Sequence, residues 1–169
     1  MKNRIIIFML FSIVFLACRT PAYLPSSEAI DTNFYGSHIK LFNKTGSSLQ
    51  GELIAIDSSD VYVLMDDELQ HSQKFAKISL QEVKYFNLKY ARSKHYWWTI
   101  PTFTLITGFH GWWALLSAPL NFISTLTVSI GSEKSFKYSE RNMSFEKLKM
   151  FARFPQGIPI GIDLSRLKH

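Results

Sequence analysis

The residue with the most distinctive chemistry is Cys18, the only cysteine of the 169-residue chain. An internal disulfide is excluded because its thiol has no second cysteine to pair with. Ahead of it stand two cations, Lys2 and Arg4, then an apolar run that ends at the small residue Ala17. This order of cations, apolar residues and a small residue is typical of a secretory signal peptide. We therefore expect residues 1–17 to be a signal peptide.

The four residues Phe15-Leu16-Ala17-Cys18 resemble the lipobox of bacterial lipoproteins. In that family a peptidase cuts before the cysteine, and the thiol receives a diacylglyceryl group. The resemblance implies that Cys18 is the lipid-attachment residue and that the chain is anchored in the bacterial cell envelope. Arg19 resembles residues that sort such proteins to the outer membrane rather than the inner one. The alternative is an ordinary signal peptide or anchor helix in which Cys18 is incidental.

A second unusual stretch, residues 95–132, contains no Asp, Glu, Lys or Arg. A glycine pair, Gly108 and Gly111, divides it and predicts a turn between two arms, at about 97–107 and 112–130. Each arm is short or marginal beside the roughly 20 apolar residues that cross a bilayer as a helix. We therefore expect a hydrophobic, helical hairpin that contacts a membrane through residues 96–130.

Two tryptophan pairs mark this segment as a membrane contact, because tryptophan favours the lipid–water boundary. The predicted membrane-contact residues are Trp97, Trp98, Trp112 and Trp113. Cations flank the segment on both sides, at Lys89, Arg92, Lys94, Lys134 and Lys137. Three arrangements remain open: the hairpin lies in or re-enters one membrane face, residues 112–130 span the bilayer, or the hairpin packs on the barrel or a partner protein.

Residues 38–92 have the alternation and turn chemistry of a small antiparallel β-domain. The predicted strands cover residues 38–44, 49–56, 61–65, 75–80 and 83–88. Five short strands joined by tight turns predict a small closed or half-closed barrel. The predicted fold class is mainly β with added α: this barrel, the hydrophobic hairpin and a short C-terminal helix.

The β-domain resembles the Sm-like barrel family. Its first motif is matched by Gly51, Leu53, Ile56, Asp57, Val63, Leu64 and Asp66. In such barrels the second strand curls at the glycine, and members often form rings, so the resemblance implies a barrel that could oligomerise. Val61 stands where RNA-binding members have a base-contacting asparagine, and the second motif's Arg-Gly pair has no counterpart. The resemblance therefore implies a fold and no nucleic-acid site, and a generic SH3-like barrel is the alternative.

The flanking segments are interpreted from their composition. Residues 18–37, with prolines and serines, predict a tether between lipid and domain. Residues 133–169 predict a basic tail with a helix over Phe145–Phe154, capped by Ser144. The formal net charge is +6, and loss of Lys2 and Arg4 with the signal leaves +4. That surplus lies mostly in the tail, where it would attract anionic lipid or simply keep the surface soluble.

The motifs of common enzymes are missing from the sequence, which contains no phosphate loop, nucleophile elbow or zinc-ligand spacing. We predict no catalytic residue, no metal and no cofactor. The predicted function is that of a non-enzymatic, lipid-anchored envelope protein with a structural or scaffolding role. Two alternatives are an envelope adaptor whose hairpin docks into a larger protein complex, and an Sm-like nucleic-acid-binding module.

Overall fold

An antiparallel sheet of six strands forms the centre of the computed structural model, which describes residues 20–66, 73–94 and 96–167. Cys18 and the expected signal peptide lie outside the described residues. The strands are β1 (His38–Asn43), β2 (Ser48–Ile56), β3 (Asp60–Asp66), β4 (Gln73–Ser79), β5 (Val83–Lys89) and β6 (Lys137–Ser139). The first five match the predicted strands to within two residues, whereas β6 was not predicted.

The prediction was a closed or half-closed barrel, and closure is wrong, because the sheet is open with the strand order β4-β3-β2-β1-β5-β6. A closed barrel would need β5 to pair with β4, which it does not do among the described residues. Instead β6, which arrives after the hairpin, occupies that edge of β5 by pairing over Asn87–Lys89. A strand from a later part of the chain thus takes the place that barrel closure requires.

Strand β2 approaches β3 unusually closely at Gly51. A Cβ atom added there would lie 2.2 Å from the carbonyl oxygen of Leu64, so every other residue type would force the strands apart. This close approach is consistent with the bend predicted at Gly51.

A register shift follows in β2, between Leu53 and Ala55. The predicted alternation places Ile54 and Ile56 on the same face of the strand. In the structure Leu53 and Ile56 belong to one core, while Ile54 and Ala55 belong to another. The extra residue of the bulge reverses the alternation, so β2 contributes apolar residues to both faces of the sheet.

The C-terminal tail covers both of these cores. The larger core contains Ile39, Leu41, Val63, Phe86 and Leu88 with Met143, Leu148 and Ala152 of the tail. The smaller core, around Ile54 and Leu64, is covered by Phe154, Ile158, Leu164 and Leu167. The tail therefore crosses from one face of the sheet to the other within the few residues around Arg153.

Three α-helices accompany the sheet: α1 (Thr99–Thr107), α2 (Ala114–Ser135) and α3 (Phe145–Leu148). Short 3₁₀ turns cover Ile30–Thr32, Gly108–Trp113, Lys149–Phe151 and Leu164–Arg166. The predicted helix Phe145–Phe154 is longer than the observed helical segment, which ends at Phe151 because the chain becomes extended at Ala152. Ser144 has the extended backbone of an N-cap, but its side chain makes no capping hydrogen bond.

Beyond Ala152 the tail is bonded to β2. The backbone N–H groups of Arg153 and Phe154 donate to the carbonyls of Leu53 and Ile54, at 3.0 and 2.9 Å.

Candidate membrane-contact site

The uncharged segment forms two helices, α1 and α2, that fold back and contact each other. Between them the 3₁₀ turn Gly108–Trp113 reverses the chain, and Gly111 adopts φ 59° and ψ −134° within it. This conformation is open to glycine and strained for other residues. The turn lies where the Gly108–Gly111 pair predicted it.

The base of the hairpin is attached to the end of β5. The backbone N–H of Tyr90 donates to the carbonyl of Phe136 at 3.1 Å, and its hydroxyl donates to the carbonyl of Ser135 at 3.3 Å. The two sides of the base are joined by the Ser132 hydroxyl, which donates to the carbonyl of Lys94 at 3.1 Å. The hairpin therefore leaves and rejoins the sheet at one point.

The surface of the hairpin is apolar and exposed to an unusual extent. Its exposed large side chains include Phe103, Leu105, Ile106, Phe109, Leu115, Leu116, Leu120, Phe122, Ile123 and Val128. Most of the large exposed apolar residues in the described chain lie in this segment. A continuous apolar surface of this size marks a contact with a membrane or with another protein.

Most hydroxyl groups of the hairpin donate to backbone carbonyls within its own helices. Thr104 and Thr127 donate to carbonyls four residues earlier at 2.7 and 2.8 Å, and Ser117 does so at 3.0 Å. The same pattern is found at Thr102, Thr125, Ser129 and Ser135. These residues interrupt the apolar run in the sequence, but their bonds leave no hydroxyl hydrogen to be paired by water. Their presence is therefore compatible with a hydrocarbon environment.

By length and composition, the helical segment Thr99–Ser135 is sufficient to cross a membrane. The fold-back at Gly111 divides this length between the two arms. Helix α2, with 22 residues, is about 33 Å long, similar to the roughly 30 Å of a hydrocarbon core. Helix α1 has 9 residues and reaches only about 14 Å, so it is too short to cross alone.

The two predicted tryptophan pairs lie at opposite ends of the hairpin. Trp97 and Trp98 are at the base, where they are 41% and 62% exposed. Trp112 and Trp113 are at the tip, where they are 88% and 73% exposed. The structure thus separates residues that the sequence analysis treated as one set.

The described part of the predicted tether, residues 20–37, lies against the same end of β5. Lys89 Nζ donates to Thr20 Oγ1 at 3.0 Å, and Arg92 Nε donates to the Leu24 carbonyl at 2.6 Å. Arg92 also bonds to the carbonyl of Ala22, and Leu24 is buried. The segment that follows Cys18 is therefore held beside the base of the hairpin.

An ion pair that the sequence analysis missed fixes the tail to the sheet. Glu52 is fully buried, and its carboxylate accepts hydrogen bonds from Arg153 Nε and Nη2 at 2.7 and 2.6 Å. The backbone N–H of Gly36 donates to the same carboxylate at 2.6 Å, and the guanidinium lies over the ring of Tyr35 at 4.9 Å. The positive charge of the tail was expected on its surface, whereas the Arg153 side chain is only 11% exposed and lies where the tail changes from one face of the sheet to the other.

Asp57, one of the residues on which the Sm-like resemblance rests, has a structural role in the turn between β2 and β3. Its carboxylate accepts hydrogen bonds from the backbone N–H groups of Ser59 and Asp60, each at 2.8 Å, and from the Tyr62 hydroxyl at 2.9 Å. The backbone bonds are the main reason that the pKa of Asp57 falls to about 2. Within residues 20–66, 73–94 and 96–167, no three His, Cys, Asp or Glu side chains are grouped so as to hold a metal ion.

Comparison of the chain with protein-family models, with curated proteins and with solved structures found no match. The hairpin and its base are therefore the features of the molecule that bear on its function.

Proposed function

We propose that this chain is a non-enzymatic, lipid-anchored protein of the bacterial cell envelope, with a structural or scaffolding role. Its lipid on Cys18 and its hairpin enter the same face of one membrane, and Arg19 favours the outer membrane over the inner one. Two attachments matter because one acyl chain binds a membrane weakly and reversibly, whereas two signals hold it stably.

The observation that supports this proposal is that the segment beginning at Thr20 and the base of the hairpin lie at the same end of the sheet. Thr20 is bonded to Lys89, and the hairpin begins a few residues beyond Lys89 and ends beside Tyr90. Cys18 precedes Thr20 by two residues, and two residues of extended chain reach at most about 7 Å. A lipid on Cys18 and the apolar hairpin can therefore enter one bilayer together.

The lengths of the two arms favour a hairpin that enters one membrane face and returns. Helix α1 is too short to cross the hydrocarbon core. The two arms are bonded to each other at their base, and the base is bonded to the end of β5. Large apolar side chains are exposed along both arms, so immersion suits this hairpin better than lying flat with one polar face in water.

The Sm-like resemblance remains part of the proposal at the level of fold. The close approach at Gly51 supports it, since a second strand that curls at this glycine is the feature that the resemblance implies. The nucleic-acid alternative is weakened by Val61, which is fully buried in the larger core and cannot present a side chain to a base.

The test uses two changes, alone and together: Cys18→Ala, with residues 1–17 replaced by a signal peptide that is cleaved without lipidation, and replacement of residues 96–131 by a short glycine-serine linker. The linker is feasible because the Lys94 carbonyl and the Ser132 hydroxyl are only 3.1 Å apart. We expect Cys18→Ala to abolish labelling by radioactive fatty acid while the hairpin keeps the chain in the membrane fraction. The linker variant should keep its label and its membrane recovery, and the combined variant should become soluble.

Three outcomes would overturn parts of the proposal. Equal lipid labelling of wild type and Cys18→Ala would exclude the lipoprotein. Membrane recovery of the combined variant would exclude these two attachments as the cause of association. A linker variant that keeps its membrane recovery but loses co-purifying envelope proteins would favour the adaptor, in which the exposed apolar face of α2 docks on protein.

A further inference from the structure

We infer that the base of the hairpin binds the headgroups of anionic phospholipids, such as phosphatidylglycerol. This inference rests on the proposed function, because the site is formed where the hairpin enters the membrane. It assigns a lipid class to that contact, which membrane insertion alone does not require.

Cations surround the base of the hairpin on both sides of its entry point. We call Lys89, Arg92, Lys94, Lys134 and Lys137 the basal cations. Two carboxylates accompany them: Glu28 pairs with Lys94 at 2.8 Å, and Glu133 pairs with Lys137 at 3.3 Å. The base therefore carries a net charge of +3 from these seven residues.

The sheet itself brings like charges together at this position. Lys89 and Lys137 are directly opposite each other in the pairing of β5 with β6. These two lysines therefore form one row across the strand ends. Like charges at opposed positions are unfavourable in a sheet, and an anion placed beside the row would relieve their repulsion.

The position of the basal cations favours a phospholipid phosphate over a free anion in solution as their ligand. Phospholipid phosphates lie just outside the hydrocarbon, at the level where an immersed hairpin meets its polar base. Trp97 and Trp98 occupy that level in this chain, immediately beyond the basal cations. Cations next to an anionic membrane surface are attracted to it, and this attraction decays within about one Debye length of the surface.

The test measures which lipids remain bound to the full-length, lipidated protein. The protein is inserted into nanodiscs of equal phosphatidylglycerol and phosphatidylcholine, and intact-protein mass spectrometry counts the lipids retained after release. We expect phosphatidylglycerol to be enriched about fivefold over phosphatidylcholine. The enrichment should decline as the salt concentration rises.

A triple variant, Lys94→Gln, Lys134→Gln and Lys137→Gln, reduces the net charge of the base to zero and should bring the lipid ratio close to one. The matched control is Lys44→Gln, Lys84→Gln and Lys147→Gln, which removes the same charge from exposed lysines outside the basal cations. This control should retain the enrichment of the wild type.

Failure of the inference can be distinguished from failure of the proposed function. A wild-type protein that inserts into nanodiscs without preferring phosphatidylglycerol overturns the inference alone. The inference is also overturned if the basal variant keeps the enrichment, or if the control loses it equally. A protein that does not associate with membranes at all overturns the proposed function and, with it, the inference.

Discussion

At the residue scale, the ion pair of Glu52 and Arg153 is where the largest energetic effect is expected. A fully buried carboxylate costs several kcal/mol unless it is paired and hydrogen-bonded. Glu52 receives three hydrogen bonds, two from Arg153 and one from the backbone of Gly36. The pair therefore ties together the N-terminal segment, β2 and the point where the tail changes face.

Replacing Arg153 by methionine should lower the free energy of unfolding by about 3 kcal/mol, because it leaves the Glu52 charge buried without its partner. Chemical denaturation in detergent measures this loss. The control is Arg166→Met, since Arg166 pairs with Asp163 at 3.1 Å on the exposed surface and should contribute less than about 0.5 kcal/mol. Adding Glu52→Leu to Arg153→Met should restore part of the lost stability, and equal losses in Arg153→Met and Arg166→Met would contradict this role.

Asp57 should make the stability of the fold depend on pH in the acid range. Its pKa is about 2 in the folded chain against an ordinary value of 3.8, so the folded state favours the charged carboxylate. The resulting stability is fully present above about pH 4 and is lost as the pH falls towards 2. Asp57→Ala should lower the free energy of unfolding at pH 7 by about 1 kcal/mol, a small value because the side chain is partly exposed.

The measurement is the free energy of unfolding at several pH values between 2 and 7 for wild type and Asp57→Ala. The variant should lose less stability than the wild type between pH 4 and 2. Ser58→Ala, an exposed change in the same turn, should keep the wild-type acid response. Parallel acid profiles for Asp57→Ala and the wild type would rule out this carboxylate as a source of the pH dependence.

At the element scale, sequence patterns predicted the elements whose formation depends on residues close together in the sequence. Alternation located β1 to β5, and the glycine pair located the hairpin turn, because each depends on a few adjacent residues. Strand β6 has three residues and forms only against the edge of β5, so it leaves little periodicity to detect. The bulge in β2 and the early end of the tail helix are linked, because the backbone N–H groups of the tail donate to the carbonyls of Leu53 and Ile54. These partners are about 100 residues apart in the sequence, so no local pattern predicts the link.

Two glycines of the hairpin tip allow its geometry to be tested. Gly111 has φ 59° and ψ −134°, so Gly111→Ala should destabilise the fold-back by about 1–2 kcal/mol. Gly108 has the helical φ of −59° and no neighbouring atom within 4 Å of an added Cβ, so Gly108→Ala should be neutral or slightly stabilising. Hydrogen exchange of the α1 amides in nanodiscs compares the two, and faster exchange confined to Gly111→Ala is expected. Equal exchange in both variants would argue against a strained turn at Gly111.

At the scale of the whole molecule, one end of the sheet carries the base of the hairpin, the segment that begins at Thr20 and the basal cations. The proposed function predicts that the rest of the sheet, with its two cores, projects away from the membrane. Trp97 and Trp98 lie at the base of the hairpin and Trp112 and Trp113 at its tip, so the two pairs report the depth of each end. Trp98 and Trp112 are separated by α1, which is about 14 Å long, and by part of the turn that follows it, so the two pairs lie closer together than the roughly 30 Å thickness of a hydrocarbon core.

This difference predicts that the two pairs occupy different depths in a bilayer. A variant with Trp97→Phe and Trp98→Phe reports the tip, and one with Trp112→Phe and Trp113→Phe reports the base. In vesicles, base fluorescence should be quenched most by headgroup-labelled lipids, and tip fluorescence by lipids labelled far down the acyl chain. Shallow quenching of both pairs would mean that the hairpin lies flat at the interface. Quenching of the tip only by headgroup labels on the opposite leaflet would mean that it spans the bilayer, and either outcome would reject a hairpin that enters one face and ends within the hydrocarbon.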